Sequence, residues 1–357
     1  MRKKIRVAIL FGGKSAEHEI SWLSANNVYT AIDKDTYDVE LIGIDKKGTW
    51  QLQSQHILQS LPSSLKEIQH TTQQLALSTN NIVTTQTLQT QQKIDVVFPV
   101  LHGPYGEDGS VQGLLKVANI PFVGSGVLGS AIGMDKDVMK RLFRDARLPI
   151  GNFLVLRENE KADFKKTEDK LGLPFFIKPA NMGSSIGVSK VHDKEEFIKA
   201  IENAFQYDTK ILVEQYIKGK EVECSILGND DPIASLPGEI IANNEFYDYT
   251  SKYIDENGAT LRIPANLTKK QIKEVQKLAI QAFQTLGLEG MARVDFFFTP
   301  ENKFYLNEVN TIPGFTNISM YLKLWEASGI SQTELIDRLI QLALERFAKQ
   351  QHLKTTA

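Results

Sequence analysis

From Ala292 to Gly314 the chain reads ARVDFFFTPENKFYLNEVNTIPG, and no other segment restricts the possible folds as much. RVDFFF and FYLNEVN are rich in aromatic and β-branched residues and flank a short polar turn, the pattern of two paired strands. Pairing them brings Asp295, Glu308 and Asn310 to positions where oxygen ligands converge on a hard cation. Mg²⁺ is usually held by one or two carboxylates together with substrate phosphates, so this pattern is that of a Mg-nucleotide site.

The chain has 357 residues, more than one hydrophobic core usually serves, so two or three domains are expected. Its 41 basic and 43 acidic residues are spread evenly, with no basic run suited to nucleic acid. Cys224 is the only cysteine, which excludes an intramolecular disulfide framework. The apolar run in MRKKIRVAILFGG is too short for a signal peptide, and no apolar stretch approaches the length of a membrane span. These features lead us to expect a soluble cytoplasmic protein with neither a nucleic-acid nor a membrane partner.

Strand and helix patterns alternate from the start. Val7–Phe11 reads as a buried strand, Ser15 as a helix N-cap, and Ile20, Leu23, Val28 and Ile32 as a helical stripe. Val39–Ile44 and Ile94–Leu101 are further strands, separated by a polar Gln/Thr/Ser-rich insertion over 51–93. This gives a Rossmann-like N-terminal domain over 1–121, with HGPYGEDG at a strand's carboxyl end, where ligands gather in open α/β sheets. A central α+β lobe is expected over 122–213. It holds a helix over 135–146, strands over 153–156, 175–178 and 187–191, and a helix over 194–205. A C-terminal lobe over 214–357 would carry the opening strand pair between helices over 268–286 and 332–349. The fold class is therefore α/β with α+β lobes.

In FFIKPANMGSSIGVSKV, a strand ends at Lys178 and a loop follows in which Gly183 and Gly187 allow close backbone approach. Ser184 and Ser185 add donors, so the loop could fold over phosphates beside the lysine charge; the plain alternative is a hairpin turn. It is not a Walker A loop, because no Gly-Lys-Ser/Thr follows. Lys136 in GMDK opens a helix against its dipole, which a phosphate partner would explain, although solvated lysines are commoner. In VEQYIKGKEVE, Glu214 and Glu221 bracket a crossover whose backbone could meet a base while Glu221 accepts from a ribose; surface charge is the plain reading. The N-terminal FGGKSAEHE lacks the G-x-G-x-x-G spacing of a dinucleotide site.

Taken in order, FGGKSAEHEIS, LHGPYGEDG, GSGVLGSAIGMDK, KPANMGSSIGVSK, FYDYTSKY and NEVNTIPGFTNISM resemble the signatures of the ATP-grasp superfamily, and within it the D-alanine–D-alanine ligases. The resemblance covers nearly the whole chain. It implies an ATP-grasp fold with an N-terminal Rossmann-like domain, three domains in all, and ATP gripped between two antiparallel sheets. By the same resemblance Lys136, Lys178 and Ser185 bind phosphates, Glu214 and the backbone of Gln215, Tyr216 and Ile217 read adenine, and Glu221 binds ribose. Phe246, Phe297 and Asn307 complete the implied nucleotide site. Asp295, Glu308 and Asn310 match ligands for two Mg²⁺ ions, with Mn²⁺ as a substitute and Glu308 bridging.

The resemblance also implies that Glu17 receives the first substrate's ammonium, with His102 near its carboxylate. Lys252, Ser319 and the backbone of Met320 match the second substrate's carboxylate site, and Met320 stands where other members have Leu. Arg293 and the Gly314 N–H match the donors that stabilise an oxyanion. Tyr253, on a closing loop, would bond Ser184 and through it Glu17. Tyr253 also favours D-alanine as acceptor, since D-lactate-using relatives carry His or Phe in this loop. The substrates implied are ATP and D-alanine, the product serves peptidoglycan synthesis, and the assembly is a homodimer. The alternatives are a D-lactate or D-serine acceptor, and a nucleotide-binding regulator without turnover.

Overall fold

Every residue from Val7 to Phe11 is fully buried, which requires a strand covered on both faces. It forms the centre of β1 (Ile5–Gly12), parallel to β2 (Tyr37–Ile44) and β6 (Val96–Pro99), while β3 (Trp50–Gln53) adds antiparallel at the edge of β2. The computed structural model describes residues 3–55, 58, 75–78, 81–84, 93–242 and 259–354. Val7, Ile9 and Phe11 pack with Trp22, Ala25 and Val28 of α1 (His18–Ala31), and Ala8 and Leu10 pack with Val111 and Leu115 of α2 (Ser110–Val117). Within the polar insertion, β4 (Leu75–Ser78) and β5 (Asn81–Thr84) pair with each other.

The N-cap expectation for Ser15 is corrected. α1 begins at His18 with Glu17 in the cap position, and Ser15 Oγ accepts from Glu17 N at 3.2 Å. The serine shapes the turn before the helix and leaves the cap position to a carboxylate.

The short helices α3 (Val127–Met134) and α4 (Lys136–Asp145) lead to a four-stranded antiparallel sheet. Its strands are β7 (Phe153–Arg157), β8 (Phe175–Pro179), β9 (Ser189–Val191) and β10 (Lys210–Gln215), in the order β7-β10-β8-β9. α5 (Phe164–Leu171) and α6 (Lys194–Ala204) cover one face, where the rings of Phe164, Phe175 and Phe197 meet at 5.5 to 6.3 Å.

The third sheet has six strands: β11 (Lys220–Gly228), β12 (Ile233–Ala234), β13 (Gly238–Ala242), β14 (Ala259–Arg262), β15 (Gly290–Phe298) and β16 (Phe304–Asn310). Val294, Phe296 and Phe298 face a core shared with Met139 and Phe143 of α4 and with Val275, Ala279 and Phe283 of α7 (Lys269–Thr285). Thr268 and Gln271 close a reciprocal capping box at the start of α7. α8 (Met320–Ala327) and α9 (Gln332–Gln351) then return to the first sheet, where Trp325, Leu335, Leu339 and Ile340 join the core of β1 and α1. No helix among the described residues is long and apolar enough to cross a membrane. Our proposed three-domain division, with boundaries after 121 and 213, places α4 in the central lobe while its apolar face packs beneath the third sheet.

Candidate active site

Strand alternation and register place the carboxylates of the β15–β16 pair. Arg293 and Asp295 lie two residues apart, hence on one face, and pair directly with Asn310 and Glu308 of β16. The register then shifts, so that Leu306 opposes Phe296 and Asn307 is the extra residue. This bulge keeps both apolar side chains in the core while Asp295 and Glu308 share the opposite face. Arg293 donates Nε and a terminal nitrogen to the two Asp295 oxygens at 2.8 and 2.7 Å, and its Nε lies 3.0 Å from Glu223 Oε2 across on β11. Burial alone would disfavour the guanidinium charge, but Asp295 and Glu223 more than offset it and hold Arg293 charged above its already high range. Asn310 Nδ2 donates to Asp295 at 3.0 Å.

Opposite these groups stand the lysines. Asp135 caps α4 by accepting from the N–H groups of Asp137 and Val138, so Lys136 begins the helix. The Lys136 N–H donates to Ala180 O, its Nζ donates to Met182 O at 2.7 Å, and Nζ lies 3.7 Å from Glu308 Oε2. In the adjacent sheet Lys178 pairs with Leu212, which sets Glu214 diagonally across on the same face; Nζ and Glu214 Oε2 are 2.9 Å apart. Glu214 is buried, not the surface charge of the plain reading. Burial would raise its pKa, yet Lys140 and Lys178 hold the carboxyl below its usual range.

The loop after Lys178 carries Ser184 and Ser185 in the left-handed region, φ 52° and 59°, an unusual run for non-glycine residues. Ser184 Oγ donates to Glu17 Oε1 in a short hydrogen bond. Glu17 is wedged tightly: a Cβ at Gly103 would lie 2.8 Å from its Oε2, and one at Gly183 3.0 Å. His102 Nε2 and Ser24 Oγ are 3.1 Å apart, and Ser24 Oγ accepts from Phe315 N. Burial pulls the His102 pKa down against the opposing influence of Glu17, so the ring is neutral at pH 7. At Gly314 a Cβ would meet Ser319 Oγ at 2.7 Å, so any larger residue there would displace that hydroxyl. Ser319 Oγ bonds Thr316, and Met320 is buried behind it.

Among the base-binding candidates, the Gln215 N–H already donates to Asn152 O, so only other groups of Gln215 could meet a base. Tyr216 is exposed, with its ring against Phe176 at 6.0 Å and under Lys190. Ile217 follows just past the end of β10, and Glu221 pairs with Phe297 across β11 and β15. Phe246, Lys252 and Tyr253 lie outside the described residues.

Three buried or half-buried charges escaped the sequence reading. Lys140 sits one helical turn from Lys136, a spacing that could have found it. Glu223, opposite Asp295, becomes visible only once register is known. Glu107, within HGPYGEDG, accepts from Gly103 N at 2.7 Å and Ile312 N at 3.3 Å and lines a small cavity with Lys136, Gly183, Glu308 and Asn310. Burial, then the nearby Glu17, pushes its pKa up to about 8.

Cations on one antiparallel sheet and its neighbouring helix, facing acidic groups on another, define the ATP-grasp class. Comparison with known proteins narrows this further. The families described as D-ala D-ala ligase N-terminus and C-terminus match residues 6–125 and 142–341. The chain is 52% identical to D-alanine–D-alanine ligase A of Escherichia coli K12 over 362 residues, spanning 99% of this chain and 100% of that one. The D-alanine–D-alanine ligase structure from Coxiella burnetii superposes with a TM-score of 0.85 at 37% identity, covering 98% of this chain and 97% of that one. The VanG D-Ala:D-Ser ligase from Enterococcus faecalis gives 0.85 at 36%, covering 96% and 100%. The chain belongs to the D-alanine–D-alanine ligase family.

Proposed function

We propose that this chain joins two D-alanines to D-alanyl-D-alanine at the expense of ATP, giving ADP and phosphate and supplying a peptidoglycan precursor. The observation that carries the reading is the meeting of Lys136 with Glu308 at 3.7 Å, where the phosphate-binding and metal-binding halves of the site face each other. The first substrate's carboxylate attacks the γ-phosphate to form an acylphosphate. The second substrate's amine then attacks that carbonyl, and phosphate leaves from a tetrahedral intermediate. No protein nucleophile takes part.

Lys136, Lys178 and the Ser184–Ser185 turn receive phosphate charge, and Glu214 accepts from adenine. Glu17, held by Ser184, binds the first ammonium, while neutral His102 lies beside the first carboxylate. Asp295, Glu308 and Asn310 form an oxygen-only set that fits Mg²⁺, with Mn²⁺ as a possible replacement. Bound there, two such ions would neutralise charge on the transferring phosphoryl group. Arg293, locked by two carboxylates, is a preorganised donor for the oxyanion together with the Gly314 N–H. Ser319, Lys252 and the Met320 backbone would receive the second carboxylate, and Tyr253 would close the site against water.

A product assay with ATP, Mg²⁺ and D-alanine tests this: ADP, phosphate and dipeptide are expected in equal amounts. Retained ATP would leave a nucleotide-binding regulator instead. The likeness to a D-Ala:D-Ser ligase makes D-serine the second reading, and parallel assays with D-serine and D-lactate decide the acceptor. We also propose a cytoplasmic homodimer, which light scattering during size-exclusion chromatography would show at twice the monomer mass.

A further inference from the structure

Lys140 is a buried charge to which the proposed reaction gives no task. It is 3% exposed and lies on the same face of α4 as Lys136, with its Nζ 3.4 Å from Glu214 Oε1. Met139 and Phe143, fully buried beneath the third sheet, prevent the helix from turning that lysine outward. Glu214 is thus held from both ends, with Oε2 facing Lys178 and Oε1 facing Lys140. Oε1 is shut off from solvent, and its interaction with the Lys140 ammonium at 3.4 Å is long and not aligned as a hydrogen bond. A carboxylate oxygen has two lone pairs, and one so weakly engaged keeps acceptor capacity that a donor on the ligand would use.

We propose that Lys140 is a positioning residue for base selection: it fixes Glu214 as an anionic acceptor, so that the site prefers a purine with a 6-amino group to one with a 6-oxo group. The inference rests on the reading of Glu214 as the adenine contact. An ionised carboxylate can only accept, so the 6-amino group completes Oε1. A 6-oxo group would set acceptor against acceptor in a site already closed to water. Removing Lys140 frees the carboxylate to turn fully to Lys178 or to take a proton, and either change removes the discrimination.

Calorimetric titration of the full chain with ADP and with IDP tests this in the wild type, Lys140→Met, Lys140→Arg and Glu214→Gln. The wild type should bind ADP at least about tenfold more tightly than IDP, the value of one buried hydrogen bond. Lys140→Met should lose most of that preference, chiefly by weakening ADP, and Lys140→Arg should keep it. In turnover the same loss should appear as a larger rise in KM for ATP than fall in kcat. Equal weakening of both nucleotides, or none, in Lys140→Met would overturn the role of Lys140. Should Glu214→Gln also keep the wild-type preference, the adenine reading itself fails; should it lose the preference while Lys140→Met does not, only the present inference fails. Lys140→Gln serves the same comparison if the methionine variant does not unfold cooperatively.

Discussion

Arg293 owes its fixed orientation to Glu223 and Asp295, which take up its charge before any substrate arrives. Lysine would keep the charge but not the planar fork, so Arg293→Lys should lower kcat by about 10²–10³-fold, the usual loss for an oxyanion donor. Steady-state kinetics with D-alanine varied would show it, with KM changing far less. Glu107 supplies a pH signature. Its pKa rises from 4.5 to about 8 on folding, so between these values the folded state binds more protons than the unfolded one. Stability contributed at this position therefore falls as pH rises through that window. Because glutamine cannot titrate, the unfolding free energy of wild type minus Glu107→Gln should shrink from pH 5 to pH 8 in urea titrations. Neither residue was legible as an electrostatic partner. Arg293 stood out through its motif, but the carboxylate opposite it on β11 depends on register, and Glu107 depends on a loop touching Ile312 from a distant part of the chain.

At the scale of elements, β15 and β16 were readable because apolar and polar residues alternate in both, and the bulge at Asn307 preserves that alternation on the core side. α3 was not readable, because Gly129 and Gly133 weaken any helical signal. Their purpose is contact: a Cβ at Gly133 would lie 2.5 Å from Thr311 Cγ2, and one at Gly129 would lie 3.1 Å from Gly287 O. Gly133→Ala should therefore push α3 away from the loop after β16, and lower activity more than its helix propensity, about 1 kcal/mol in alanine's favour, would suggest. α4 depends on its cap. Asp135→Ala removes the carboxylate that accepts from two backbone N–H groups and that Lys210 meets at 2.5 Å. The cap alone is worth about 1 kcal/mol. Because the same turn carries Lys136, the variant should show a raised KM for ATP alongside a lowered melting temperature.

Across the whole molecule, Arg346 of α9 fastens the chain leaving the first sheet. It donates to Phe122 O at 2.6 Å and to Gly124 O, stacks over the Phe122 ring at 4.5 Å, and lies 3.3 Å from Glu289. Arg346→Met leaves two buried carbonyls without donors, at about 1–3 kcal/mol each, and should lower the denaturation midpoint with little change in KM. The sequence announced the helix over 332–349 but not its partner, since nothing local links it to β1. That partnership has a consequence for how the protein is made. The face of β1 bearing Val7, Ile9 and Phe11 is covered by α1 and also by Leu335, Leu339 and Ile340, which are synthesised long after it. Part of that apolar face therefore stays uncovered, and must be shielded, until α9 has been made. A fragment ending at residue 125 should accordingly be recovered as aggregate or bound to a chaperone, and become soluble when a chain containing α8 and α9 is supplied with it.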